Sequence, residues 1–233
     1  MRFILIGLPG SGKGTQAAAL AAKFGIAHIS TGDMMRAAME SGSELGLRAR
    51  KAVESGELVS DEIVIGLVGN RIREPDCRPG FVMDGFPRTL EQAVALREAR
   101  IPIDCAIELE VSEHDVMERM GGRRVHPASG RVYHVKFNPP RIPDTDDVTG
   151  EPLVQRSDDR EDVIRVRIGA FNARTLPIIG YYVDWERSGD SRAPRFIKVN
   201  GQGSPAAVRE LLSSAVSEAM GLRAAALQDG HAS

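Results

Sequence analysis

The stretch Gly7-Leu8-Pro9-Gly10-Ser11-Gly12-Lys13-Gly14-Thr15 constrains this chain more than any other. Ahead of it runs Arg2-Phe3-Ile4-Leu5-Ile6, a short apolar segment of strand formers. Behind it comes an alanine-rich segment, Gln16 to Phe24, with strong helix propensity. Strand, glycine loop with lysine, then helix is the context of a phosphate-binding P-loop. Glycines let successive backbone N–H groups turn toward one anion. The following helix points its positive end at the same anion. Gly10, Ser11, Gly12, Lys13, Gly14 and Thr15 are therefore candidate phosphate ligands, Lys13 supplying a mobile full charge. The general motif puts Ser or Thr directly after the lysine; here Gly14 stands there and Thr15 follows.

A chain of 233 residues accommodates one α/β core and a small insertion. Its net charge of −2 gives no bulk-charge reason to bind nucleic acid or a membrane surface. Lysine occurs only at positions 13, 23, 51, 136 and 198, so 25 of the 30 basic residues are arginine, the residue suited to gripping phosphate in a planar fork. Cys77 and Cys105 make no disulfide framework. The apolar start, Phe3 to Ile6, is too short for a signal sequence or a membrane span. A soluble cytoplasmic protein is expected.

Taken in order, Ala17–Phe24 predicts a helix closed by Gly25, and 26–29 a second strand. Ser30 to Asp33 reads as a turn, followed by helices over 34–40 and 44–55. Ser60-Asp61-Glu62 caps a helix over 63–73 that carries Ile63, Leu67 and Ile72 inward. Phe81-Val82-Met83-Asp84 is a third strand whose final aspartate faces the crevice at the carboxyl edge of the sheet. Helix 89–97, strand 106–110 and a short helix ending at Gly121-Gly122 follow. From Arg123 to Asp159 the periodicity changes: Val125, Val132, Tyr133, Val135 and Phe137 alternate with polar residues, as in half-buried strands. Helix returns over 160–176, kinked or broken at Pro177. A fifth strand spans 196–199, and Ser204-Pro205 opens the last helix.

Gly7–Thr15, Ser30-Thr31-Gly32-Asp33-Met34, Asp84-Gly85-Phe86-Pro87-Arg88 and Gly122-Arg123-Arg124-Val125-His126 resemble the motifs of the adenylate kinase family in its bacterial, long-lid form. The resemblance implies a five-stranded parallel P-loop kinase core of the α/β class, with a helical AMP-binding insertion and a small β-rich lid. It implies a core of 1–29, 60–121 and 160–220, an AMP-binding lid over 30–59, an ATP lid over 122–159 and a polar tail over 221–233. It implies reversible phosphoryl transfer from ATP to AMP with Mg²⁺, giving two ADP. The attacking phosphate oxygen of AMP is already anionic, so the chemistry needs alignment and charge neutralisation rather than a general base.

Residue by residue, the resemblance assigns Lys13, Arg88, Arg123, Arg156 and Arg167 to the transferred phosphoryl group and its neighbours, and Asp84 to the water shell of Mg²⁺. Arg119, spaced four from Arg123 and expected on the same helix face, joins the ATP side with Val132, Tyr133 and Gly203. Val132 and Tyr133 serve equally as simple lid core. Thr31, Arg36, Glu57, Leu58, Val59, Gly85, Phe86 and Pro87 fall to AMP, Arg36 at its phosphate. Glu57 departs from the lysine common in relatives. Gln92 has two readings: Thr89-x-x-Gln92 is a capping box, whereas the resemblance sends the amide to the adenine edge. His126-x-x-Ser129 and Asp146-x-x-Thr149 have the spacing of a zinc site, but serine and threonine are poor Zn²⁺ ligands; a hydrogen-bonded cluster without metal is expected. A monomer is expected. The competing readings are a kinase for another nucleoside monophosphate and a non-catalytic nucleotide sensor.

Overall fold

In the computed structural model, which describes residues 1–221, β1 (Arg2–Ile6) lies at the centre of a parallel sheet. With β2 (Ala27–Ser30), β3 (Phe81–Asp84), β4 (Cys105–Glu110) and β7 (Arg195–Asn200), the strand order is β2-β3-β1-β4-β7. Both faces of the sheet are covered, which is why β1 reads as an unbroken apolar run rather than an alternation. Ile4, Ile6, Ile29 and Met83 face one core with Phe86, Ile178 and Tyr182. Phe3, Leu5, Val82 and Ile107 face the other with Leu20 and Leu212. Each such side chain, fully buried, contributes about 1.5–3 kcal/mol.

Helix α1 (Lys13–Phe24) starts inside the glycine loop, earlier than the alanine-rich segment suggests, because Gly12 takes a left-handed φ of 98° as its N-cap. Likewise α2 (Thr31–Glu40) absorbs the expected turn: the Ser30 hydroxyl accepts from Asp33 N and starts the helix directly off β2. α3 (Glu44–Ser55) follows, and Gly46 allows it to cross α2 at the Ala38 carbonyl. In α4 (Asp61–Arg71) the buried positions are Val64 and Val68; Ile63, Leu67 and Ile72 pack only at the edge of the core. Ser60 occupies the N-cap without making a side-chain bond, which corrects the expected capping role. α5 (Leu90–Glu98) and α6 (Glu113–Gly121) are capped by Thr89 and Ser112.

The lid segment holds a two-stranded antiparallel sheet, β5 (Arg123–Val125) and β6 (Val132–His134), with isolated bridges elsewhere. The alternation there overstated burial: Val125 and Tyr133 are buried, but Val135 and Phe137 are half exposed. After α7 (Glu161–Ala170) the chain does not break at Pro177. It widens into a π turn, Phe171–Thr175, and continues as α8 (Leu176–Arg187), a helix the pattern did not announce. The wider turn relieves the clash and the lost N–H of a proline in a helix. α9 (Pro205–Ala219) closes the described fold; the tail lies outside the described residues past Gly221.

Candidate active site

At the carboxyl edge of the sheet the glycine loop wraps the Lys13 ammonium. Nζ donates to Gly7 O and Leu8 O, each at 2.7 Å. Burial pushes Lys13 down to about 7; Asp84 opposes this, while Arg88, Arg167 and Arg123 add to it. Gly14 has a local reason. A Cβ there would sit 3.2 Å from Asp84 Oδ2, so the residue after the lysine leaves room for the carboxylate that ends β3. Asp84 has no hydrogen bond to its carboxylate among the described residues; His28 Nε2 lies 3.8 Å from its Oδ2. Thr15 is exposed on the first turn of α1.

Around this loop the arginines gather on elements far apart in sequence. Arg88 follows the β3 turn, its Nε donating to Gly85 O at 2.8 Å. Its backbone is held from the π turn, where Thr175 Oγ1 donates to Arg88 O at 2.8 Å. Arg167, on α7, donates from Nη1 to Asp158 Oδ2 at 2.6 Å. Arg123, at the start of β5, forks onto Asp159, with Nε at 2.7 Å from Oδ2 and Nη2 paired to Oδ1. Burial, and then the neighbouring cations, bring both Arg156 and Arg167 down to about 10. Burial likewise lowers Arg88. Arg36 pairs with Asp33 and adds its field to Arg156 and Arg88. Six cations thus repel one another in one cleft, with Asp33, Asp84, Asp158 and Asp159 as the nearby carboxylates.

Asp158 and Asp159 went unrecognised in the sequence. The alternation Arg156-Ser157-Asp158-Asp159-Arg160 was the available signal, since paired carboxylates between arginines are poor surface decoration but good guanidinium partners. Arg119 corrects a second expectation. It does not share a helix face with Arg123, because α6 ends at Gly121. Its Nη1 donates to Ser11 O at 3.2 Å and its Nη2 to Gly201 O at 2.9 Å, strapping the phosphate loop to the segment after β7. Gly203, in that same segment, is exposed.

A second pocket opens between the α2–α3 insertion and the core. Thr31, Arg36, Glu57, Leu58, Val59, Gly85, Arg88, Gln92 and Arg167 all line it. Phe86 and Pro87 lie buried beneath. The Thr31 hydroxyl donates to Gly85 O at 2.9 Å and ties α2 to the β3 turn. Glu57 is exposed at the rim, whereas Leu58 and Val59 are half buried. Half of the expected capping box forms: Thr89 Oγ1 accepts from Gln92 N at 3.3 Å. The glutamine does not reciprocate. Its Oε1 accepts from Arg88 N and its Nε2 donates to Asp61 Oδ1, both at 2.7 Å.

In the lid, the four metal-spaced residues form a polar cluster. His126 Nδ1 lies 2.7 Å from Ser129 Oγ, and Thr149 Oγ1 donates to Asp146 Oδ2 at 3.0 Å. The cluster recruits partners the spacing did not indicate. Arg131 forks onto Asp146 at 2.8 and 2.6 Å, Glu151 Oε2 lies 2.6 Å from His126 Nε2, and Tyr133 OH donates to Asp146 Oδ1 at 3.0 Å. These donors hold the Asp146 carboxyl well below the usual carboxylate range, Arg131 most strongly. Tyr133 is therefore buried in lid core, while Val132 is half exposed.

The family model described as adenylate kinase matches residues 5–187. Adenylate kinases of Coxiella burnetii strains Dugway 5J108-111 and RSA 331 / Henzerling II are each 54% identical to this chain over 210 residues, covering 90% of it and 91% of their own length. With a match of that extent, the chain belongs to the adenylate kinase family.

Proposed function

We propose that this cleft carries out the reversible Mg-dependent transfer of a phosphoryl group from ATP to AMP, giving two ADP, and that the residues gathered in it divide the work as follows. The observation that carries the assignment is the convergence of Lys13, Arg36, Arg88, Arg123, Arg156 and Arg167. The four nearby carboxylates offset their mutual repulsion and burial in part, and burial still lowers Lys13, Arg156 and Arg167, which favours the arrival of further negative charge. A nucleotide triphosphate and a monophosphate placed end to end supply it.

ATP takes the P-loop side. Backbone N–H groups of Gly10 to Thr15 and the Lys13 ammonium receive its phosphates, with Arg119, Val132 and Gly203 toward the adenosine and Tyr133 packed behind Val132 in the lid core. AMP takes the second pocket, with Arg36, Arg88, Arg156 and Arg167 toward its phosphate. Thr31, Leu58, Val59 and Gln92 meet its base, Glu57 lies at the rim, and the Gly85-Phe86-Pro87 turn forms the floor. An AMP phosphate oxygen attacks the γ-phosphorus as the bond to the β-phosphate oxygen breaks, and ADP leaves; no proton has to move. Arg88, Arg123, Arg156 and Arg167 stabilise the equatorial charge of that transition state.

The donor set fits a hydrated Mg²⁺: a carboxylate at the sheet edge, next to the phosphate loop, accepts no hydrogen bond among the described residues. Asp84 would hold the water shell of a Mg²⁺ bound with ATP, which would supply neutralisation of phosphate charge. The two insertions, 30–59 and 122–159, act as lids on the 1–29, 60–121 and 160–220 core and exclude water from the transferred group. The His126, Ser129, Asp146 and Thr149 cluster serves the second lid in place of zinc. Among the described residues no helix is long and apolar enough to cross a membrane. We read the protein as a cytoplasmic monomer acting on free nucleotides, with no nucleic acid or membrane partner.

The test is ADP formation from ATP with each nucleoside monophosphate in turn, with and without Mg²⁺. Mg-dependent turnover fastest with AMP is expected. Preference for another monophosphate, or nucleotide binding without turnover, would refute the assignment.

A further inference from the structure

Resting on the reading of the second pocket as the AMP site, we propose that Asp61 is a specificity-determining positioning residue: it locks the Gln92 amide in the one orientation that reads a 6-aminopurine and rejects a 6-oxopurine. The geometry is closed on both sides. Gln92 is 2% exposed, its Oε1 2.7 Å from Arg88 N and its Nε2 2.7 Å from Asp61 Oδ1. A backbone N–H can only donate and an ionised carboxylate can only accept. The order of oxygen and nitrogen in the amide is therefore dictated by its partners. A flipped amide would set its NH₂ against the Arg88 N–H and its oxygen against the Asp61 carboxylate.

Each end of the amide keeps one function free. Oε1 has a second lone pair and Nε2 a second hydrogen. The residue lines the pocket beside Leu58, Val59 and Val64, so both free functions meet a base inserted there. An adenine edge offers a donor at the 6-amino group and an acceptor at N1, which match the locked order. A hypoxanthine edge offers an acceptor at O6 and a donor at N1–H, which oppose it at both atoms. An unlocked amide would simply flip to serve either base. Specificity therefore resides not in the glutamine, which is indifferent, but in its two partners, the Arg88 N–H and the Asp61 carboxylate on α4, of which only the carboxylate can be changed by substitution. A site whose buried polar groups are mispaired by the wrong substrate discriminates strongly. The position of Asp61 in the first turn of α4 fits this role, since its N-cap neighbour Ser60 makes no side-chain bond and the helix start is held to α5 through Gln92.

The test compares AMP with IMP, which carries oxygen in place of the 6-amino group and a hydrogen on N1, using ATP as donor. In Asp61→Asn the near-isosteric amide can face Gln92 with either atom. The ratio of kcat/KM for AMP over IMP should then narrow by about tenfold or more, chiefly through KM. In a Gln92→Ala background the same Asp61→Asn change should leave the ratio unmoved, because the group it orients is gone. A ratio within about twofold of the parent in Asp61→Asn, while Gln92→Ala raises KM for AMP, overturns the role of Asp61 and leaves the pocket assignment standing. Equal narrowing in both backgrounds also overturns it, since Asp61 would then act through the fold. If Gln92→Ala leaves KM for AMP unmoved, the pocket assignment itself falls, and the inference with it.

Discussion

Replacing Arg123 by alanine separates what the arginine cluster does for chemistry from what it does for stability. Loss of a preorganised cation at the developing charge costs about 2.7–4 kcal/mol of transition-state stabilisation, a fall in kcat of about 10²–10³-fold. The structure adds a second cost. Arg123 forks onto Asp159, whose side chain is 0% exposed while the arginine's is 20% exposed. Breaking a buried pair from one side leaves a stranded carboxylate at about 3–5 kcal/mol. Here the exposed edge of the guanidinium admits water to the vacated space, which brings the figure down to about 1–3 kcal/mol. In a chain of this size that lowers Tm by roughly 2–12 °C. The double variant Arg123→Ala/Asp159→Ala removes the stranded charge. Its Tm should return toward the parent while its turnover stays low, because no cation has been restored. Calorimetry and a coupled ADP assay read the two effects independently. Turnover within about threefold of the parent in the single variant, or recovered turnover in the double, would refute the catalytic role of Arg123.

Three other outcomes follow from the geometry. Lys13 has a folded value of about 7 against an ordinary 10.5, so its burial cost is fully present below pH 7 and is relieved as pH rises toward 10.5. Phosphates that keep it charged should therefore draw a proton onto the protein when ATP binds in that window; titration calorimetry in two buffers of different ionisation enthalpy would expose the idea as wrong if the heats agreed. Gly10→Ala should lower both stability and ATP affinity, because Gly10 has a φ of +77° and its new methyl would lie 2.8 Å from Met120 Sδ, inside contact distance; unchanged ATP binding would contradict this. Chelation by EDTA should abolish phosphoryl transfer through loss of Mg²⁺ yet leave the Tm of the unliganded protein in place; a lowered Tm with zinc in the supernatant would overturn the metal-free reading of the lid.

Local chemistry made much of the site readable. The glycine loop and the aspartate ending a buried strand each carry a requirement imposed within a few residues, so the residues themselves expose them, whereas the arginines stand out only through the resemblance of their motifs to the family. What spacing could not supply is which cation meets which anion. Arg119 and Arg123 look like helix neighbours, yet α6 ends two residues before Arg123, and Arg119 goes to Ser11 and Gly201 while Arg123 goes to Asp159. The alternation Arg156 to Arg160 hints at Asp158 and Asp159, but their partners, Arg167 on α7 and Arg123 on β5, are set only by the fold. Gln92 reads in the sequence as either a helix cap or a base edge, and neither reading includes Asp61, 31 residues away on another helix, which holds its amide.

The order of structure along the chain was likewise more legible than its ends. Strand and helix propensity placed the five core strands, but the π turn before Pro177 and the early start of α2 came from contacts that no periodicity records: Thr175 on Arg88 O, and the Ser30 hydroxyl on Asp33 N. The sequence by itself determined that this chain builds a phosphate loop at the carboxyl end of a buried parallel strand, because backbone conformation and burial there depend on residue types next to one another. Only the tertiary structure decided how six mutually repelling cations share four carboxylates, and how the amide facing the second pocket is oriented. Both depend on distances between elements remote in sequence, where electrostatic and hydrogen-bond energies change over a single ångström.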